Sequence, residues 1–280
     1  MPEAYCQAFL SQDYDVSGKL AADPRVAFLS FIGSARVGWM LRSKLAPGTR
    51  CALEHGGVAP VIVANDARLD DAIPRLTKAG FYHAGQVCVS VQRVYADRAI
   101  ARDVADRLAN EAGSLIVGDP TLRETDVGPL IRPSEVDRVH EWVEEAAGEG
   151  GKVLCGGKRK SSTCYEPTVL YDPPDSVRAS TQEIFGPVVC VYPFDDLGEA
   201  LARANDSPFA FQAAVFTEDL DTAFRATRRL NASTVTVNDH TAFRVDWMPF
   251  AGLRQSGLGI GGIPYTMHDM QIEKMVVFRS

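Results

Sequence analysis

The feature that most limits how this chain can fold is its regular exchange of short apolar runs with amphipathic ones. "RVAFLSFIG" (25–33) predicts a buried strand that stops at a glycine. "SARVGWMLRSKLA" (34–46) predicts a helix: Ser34 is a favourable N-cap, and Val37, Met40, Leu41 and Leu45 recur at helical spacing. "RCALE" and "PVIVAN" predict two strands around "HGG". A partly helical stretch with Pro74 as a possible kink follows. The exchange continues with "QRVYA" as strand and "DRAIARDVADRLANEAG" as a helix closed by Gly113. Next come "SEVDRVHEWVEEAAGEGG" as helix and "KVLCGG" as strand. "PVVCVYPF", "FQAAVFT" and "STVTVND" predict strands separated by the helices "DDLGEALARAND" and "DLDTAFRATRRLN". Strands alternating with helices predict an α/β fold with mostly parallel pairing. The last segment, "KMVVFRS", predicts a lone strand that needs a sheet to join, on this chain or on another subunit.

Composition narrows the function classes. The 29 basic and 36 acidic residues leave a net charge of −7, which argues against nucleic acid or an anionic membrane surface as partner. Six cysteines are scattered at 6, 51, 88, 155, 164 and 190. They lack any C-x-x-C pair or zinc-ligand spacing, so free thiols in a reducing cytoplasm are expected, and no metal centre. The first residues carry no basic-then-apolar leader pattern, and no apolar run reaches the ~20 residues of a membrane span.

Four short stretches exceed what packing requires. In "FIGSARVG", Gly33 and Ser34 sit between strand and helix, where backbone N–H groups and the positive helix end could hold a phosphate; the turn alone favours the simpler reading, an ordinary strand-to-helix turn with a serine cap. In "LEHGG", Glu54 at a strand end could serve as a general base if desolvated, or be a solvated loop residue. In "HAGQVC", Cys88 follows a Gly and a Gln where a helix is expected to begin, a placement that lowers a thiol's pKa. The competing reading, a small buried hydrophobe, suits Cys190 in "PVVCVY" better. In "QEIFGPV", a Gly-Pro turn explains Gly186 and Pro187 but not Glu183 and Phe185.

Taken in order with "PFAGLRQSGLG" (249–259), these stretches resemble the NAD(P)-dependent aldehyde dehydrogenase superfamily from about Val26 onward. The resemblance implies oxidation of an aldehyde to a carboxylic acid with NAD or NADP. Cys88 would be the nucleophile, passing through a thiohemiacetal and a thioester, and Glu54 the base that activates the deacylating water. It implies that Glu183, with Phe185 beside it, holds the nicotinamide ribose, that Gly33 and Ser34 meet the pyrophosphate, and that the Cys88 N–H is an oxyanion donor. His83 stands where the family often has Asn, His55 where it often has Leu, and Ile260-Gly261 where many members have Arg-Glu. The family's long segment ahead of the "VAFLSFIG" strand has no counterpart before it here. The resemblance therefore implies an aldehyde dehydrogenase-like α/β fold in three parts. These are an incomplete Rossmann-like cofactor half-domain (1–54), an α/β catalytic domain (55–262) and a tail with an oligomerisation strand (263–280). Its expected partners are a small aldehyde and, at full length, further copies of itself. The alternative is a catalytically incomplete fragment or assembly partner of a split or truncated enzyme.

Overall fold

The computed structural model describes residues 5–12 and 14–280. Helix α1 (Tyr14–Ala21) precedes strand β1 (Phe28–Ile32), helix α2 (Ala35–Arg42) and strand β2 (Arg50–Glu54). Strand β3 (Pro60–Val63) leads into helix α3 (Leu69–Phe81), a short 3-10 turn (Tyr82–Gly85), strand β4 (Arg93–Asp97) and helix α4 (Arg98–Ser114). Helix α5 (Pro133–Gly148), strands β5 (Lys152–Cys155) and β6 (Thr168–Tyr171), helix α6 (Arg178–Thr181) and strand β7 (Val188–Phe194) follow. The rest comprises α7 (Leu197–Asn205), β8 (Phe209–Ala210), β9 (Gln212–Phe216), α8 (Leu220–Arg229), β10 (Thr234–Val237), β11 (Leu253–Arg254), β12 (Gly257–Leu258) and α9 (Ile263–Met270).

The seven-stranded sheet has the order β10-β9-β3-β4-β7-β6-β5, and every pair is parallel except β5 against β6. The α/β expectation therefore holds, with one antiparallel edge. Central strands buried on both faces read as continuous apolar runs, and β7, "VVCVYPF", is buried at every position. Helices α3 and α4 cover the sheet with Ile73, Leu76, Val104 and Leu108. Gly80 lets α3 lie close to the sheet, since a Cβ there would stand 2.5 Å from a Val189 methyl. Pro74 lies inside α3 without ending it.

Strands β1 and β2 belong to a separate three-stranded sheet, where they run parallel and β12 returns antiparallel to β2. Gly257 pairs with Glu54, so a late segment of the chain is laid beside the end of β2. The C-terminal segment pairs with no strand among the described residues of this chain. "KMVVFRS" forms no strand here: α9 occupies Ile263–Met270, and residues 271–280 carry no regular structure. A strand needs a free edge to pair with, and this segment leaves Ile272, Met275, Val277 and Phe278 more than 70% exposed.

Leu76, fully buried between α3 and the sheet, gives a direct test of this packing. Leu76→Ala is expected to destabilise the chain by about 2–5 kcal/mol, read as a lowered urea midpoint at unchanged slope.

Candidate active site

The six residues singled out in the sequence come from four separate stretches of chain. All six line one cavity of about 840 Å³: Gly33, Ser34, Glu54, Cys88, Glu183 and Phe185. Two adjacent glycines explain how they can be so close. A Cβ on Gly56 would fall 1.8 Å from Glu183 Oε1, and one on Gly57 would fall 3.0 Å from the carbonyl oxygen of Cys88. Only a bare backbone after β2 lets both loops approach it. The Gly57 N–H then donates to Glu183 Oε1 at 3.0 Å.

The nucleophile loop has an unusual path. After α3 the chain passes through three consecutive left-handed residues, His83 (φ 50°), Ala84 (φ 56°) and Gly85 (φ 70°). Left-handed backbone costs roughly 1–2 kcal/mol for each residue that has a Cβ, so tertiary contacts must hold this run in place. Gln86 supplies several of them: its Nε2 donates to the carbonyls of His83 and Pro129, and its Oε1 accepts from the Ile131 N–H at 2.9 Å. Gly85 touches the other loop directly, since a Cβ there would stand 2.0 Å from the Gly186 carbonyl oxygen. His is among the residues that tolerate the left-handed region.

The Glu183 loop is held from two sides. Buried Gln92, four residues after Cys88, donates from Nε2 to the carbonyls of Ala179 and Gln182 and accepts the Ile184 N–H at 2.9 Å. From α5, Arg138 donates to the Ile184 carbonyl at 2.7 Å and to Glu135 at 2.8 Å, with its guanidinium 4.8 Å from the Trp142 ring centre. Phe185, itself left-handed at φ 47°, is 41% exposed and lines the cavity. Gln86, Gln92, Gly56, Gly57 and Arg138 were not singled out from the sequence as site residues. Their hydrogen bonds and close approaches join segments far apart in the chain, which no local pattern records.

Two expectations change at the atomic level. Cys88 does not begin a helix; it lies in a turn between the 3-10 turn and β4, so no helix end lowers its pKa. Burial, reinforced by the nearby Glu54 and Glu183 carboxylates, pushes its thiol up to about 12. At Gly33-Ser34, the Gly33 N–H is committed to the Glu54 carbonyl at 3.1 Å, so it is not available to a phosphate. Ser34 does occupy the N-cap of α2, but its side chain makes no capping bond, which leaves the hydroxyl exposed at the cavity wall. His55, beside Glu54, is buried under Phe31 and Trp39; its Nδ1 bonds to the Gln255 carbonyl at 2.8 Å, and Gly38 leaves room for its ring.

Burial sets the remaining charges. It raises Glu54 above the usual carboxylate range, with Arg244 opposing it. It raises Glu183 to about 7, with the Gly57 N–H and Arg138 opposing it. A carboxyl raised on folding destabilises the folded state as pH rises from the unfolded value through the folded one. Glu183→Gln should therefore melt close to the parent at pH 4 and above it at pH 8, by at most roughly 3 kcal/mol. Cys88 alkylation by iodoacetamide should keep accelerating above pH 9. Glu54→Gln, which removes one of the charges holding the thiol protonated, should accelerate that alkylation at pH 8, as followed by peptide mapping.

Comparison with known proteins agrees with this geometry. A sequence model described as the aldehyde dehydrogenase family matches residues 1–276. The 3-sulfolactaldehyde dehydrogenase of Priestia megaterium is 38% identical over 277 residues, covering 99% of this chain and 58% of that protein. The lactaldehyde dehydrogenase of Methanocaldococcus jannaschii is 38% identical over 262 residues, covering 94% and 56%. Among solved structures, glyceraldehyde-3-phosphate dehydrogenase GapN from M. jannaschii, complexed with NADP, superposes with a TM-score of 0.87 at 37% identity, over 91% of this chain and 55% of that one. Aldehyde dehydrogenase 21 from Physcomitrella patens, in complex with the reaction product succinate, gives 0.88 at 36% identity, over 92% and 53%. The chain thus spans about half the length of the relatives it matches. With the family model covering nearly every residue, the chain belongs to the aldehyde dehydrogenase family.

Proposed function

We propose that this chain carries the catalytic cavity of an NAD(P)-dependent aldehyde dehydrogenase, with Cys88 as nucleophile and Glu54 as general base. The supporting observation is the single cavity lined by Cys88, Glu54, Glu183, Phe185, Gly33 and Ser34. Cys88, having lost its thiol proton to solvent, would add as the thiolate to the aldehyde carbon, forming a C–S bond as the carbonyl π bond breaks and its oxygen takes up the negative charge. Its own backbone N–H, which already favours the thiolate, would donate to that oxygen. A nicotinamide cofactor, when bound, supplies the hydride acceptor that turns this adduct into a thioester. Glu54 would then take a proton from water, whose oxygen attacks the thioester carbon and releases the Cys88 thiolate and the acid.

The residues present suit such a cofactor. The Glu183 carboxylate accepts the Gly57 N–H at one oxygen and retains capacity to accept hydroxyl donors. The Ser34 hydroxyl and the first turn of α2 present polar groups and a positive helix end at the same wall. The division into cofactor half-domain (1–54), catalytic domain (55–262) and tail (263–280) is part of this proposal, as are a cytoplasmic location and assembly with further copies. The placement of β1 and β2 outside the seven-stranded sheet, the six free cysteines and the exposed apolar tail are the respective motivations. Among the described residues no helix is long and apolar enough to cross a membrane.

The substrate we propose is an aldehyde bearing a negative charge. Glu54 also lines a second cavity of about 450 Å³ beside Arg244. Arg244 is exposed, its guanidinium 4.3 Å from the Phe250 ring centre, and its charge acts on both Glu54 and Cys88. Three of the relatives' names agree with this, through 3-sulfolactaldehyde, aspartate semialdehyde and succinate as product, whereas others name lactaldehyde and betaine aldehyde, which carry no net negative charge.

The second reading, a catalytically incomplete fragment or assembly partner, is favoured by the chain's spanning about half of its relatives. Ester hydrolysis separates the two, because it needs nucleophile and base but no hydride acceptor. With p-nitrophenyl acetate the chain should show slow turnover that Cys88→Ala abolishes. Glu54→Gln should keep the acylation burst but slow the steady state at least tenfold. Turnover in Cys88→Ala equal to that of the parent would establish the second reading. Replacing acetate by a succinate half-ester tests the substrate class: Arg244→Gln should lower the anionic-to-neutral acylation ratio about tenfold, the loss of one charge-assisted bond.

A further inference from the structure

A different cavity, about 590 Å³, opens at the start of β4 and is lined by Arg93, Arg203 and Arg254 together with Tyr95, Ser180 and Thr181. Arg93 is the first residue of β4 and is only 2% exposed, yet its Nε and Nη2 have no hydrogen-bond partner. A buried guanidinium in that state is expensive, because charge removed from water must be repaid by a paired anion or by hydrogen bonds. The Nε of Arg203 is also buried without a partner. Its guanidinium lies 5.4 Å from the ring centre of Tyr95 and 5.2 Å from that of Tyr192, which stack on each other at 5.2 Å. The charges of Arg93 and Arg203 both bear on the Tyr95 phenol, so the two guanidiniums converge on one wall. Arg254 is fixed from the other side, with Nη1 donating to the carbonyls of Asn205 and Ser207 at 2.9 and 2.6 Å.

The acids in this cavity do not neutralise it. Asp175 pairs with Arg203 Nη2 at 2.8 Å and is itself 66% exposed, and Asp206 is exposed to water at the rim. Arg93 and Arg254 enter no ion pair among the described residues. Two guanidiniums without an ion-pair partner, planar donors in fixed forks, match the donor pattern that recognises a tetrahedral oxyanion, while the Tyr95 and Thr181 hydroxyls beside them donate to the Arg203 and Val177 carbonyls. The volume lies within the range of small-molecule sites.

We propose that this cavity is a second ligand site, separate from the one built around Cys88, and that it binds a doubly charged oxyanion of the phosphate type. Neither Cys88 nor Glu54 lines it, so occupancy does not require the catalytic reading to hold.

Calorimetric titration of the chain with inorganic phosphate, at ionic strength held constant with sodium chloride, tests the proposal. Saturable binding at one site is expected, weakened at least tenfold in Arg93→Met and in Arg254→Gln. It should be retained in Arg36→Gln, which alters only the Cys88 cavity. Arg254 is exposed, so its variant decides the matter if Arg93→Met does not fold. Absence of saturable heat overturns the proposal, as does parent-like binding in Arg254→Gln or a loss confined to Arg36→Gln. A change of oligomeric state in Arg254→Gln without phosphate binding by the parent would assign the arginines to a carboxylate of a second copy, which also overturns it.

Discussion

The arrangement rests on one hydrogen bond and the bare backbone around it: the Gly57 N–H donating to the Glu183 carboxylate at 3.0 Å. Gly56 makes the approach possible, since any Cβ there would overlap that carboxylate. Through this contact the end of β2, which carries Glu54, meets the loop before β7. The neighbouring Gly57 meets the carbonyl of Cys88. A methyl group at either glycine would separate three chain segments at once. Gln92 and Gln86 work in the same direction from further out, each donating from its amide nitrogen to two backbone carbonyls and accepting one backbone N–H of these loops.

Bringing two carboxylates and a thiol into one partly dry space has an electrostatic result that sequence alone would not suggest. Burial raises all three groups, and the two carboxylates raise the thiol further, so the thiol sits near 12 and Glu183 near 7. The cavity as built favours a neutral thiol at ordinary pH. Positive groups near it, Arg244 for Cys88 and Glu54, and Arg138 for Glu183, moderate this without cancelling it. Any charged ligand that enters will therefore change the reactivity of Cys88 through field effects, whether or not it touches the sulfur.

Much of this was legible in the residues. Alternating periodicity located most strands and helices, because a strand buried on both faces and a one-sided helix leave different apolar spacing. It missed α1 and α9, and the short β6, α6, β8, β11 and β12. It assigned a strand to "KMVVFRS", whose two valines favour one but which pairs with none of the described strands. Motif order located the cavity's six residues, since loops at strand ends carry unusual residue types. The supporting glutamines escaped notice because a Gln that bonds to backbone 43 or 90 positions away looks like any surface Gln in sequence. The Cys88 environment was misread because "HAG" looks like a helix approach, whereas the chain there turns with the opposite hand.

That reversed hand has a further consequence. Residues 83–85 form one left-handed step that turns the chain from the end of α3 toward Cys88. Val, Ile and Thr are strongly disfavoured in such backbone, and Gly85 additionally has no space for a side chain. The segment thus admits a narrow alphabet that has nothing to do with touching substrate. Variation in a population of related chains would be suppressed here as severely as at the nucleophile itself, and a reader of such variation would assign chemistry to residues whose whole task is to turn the backbone.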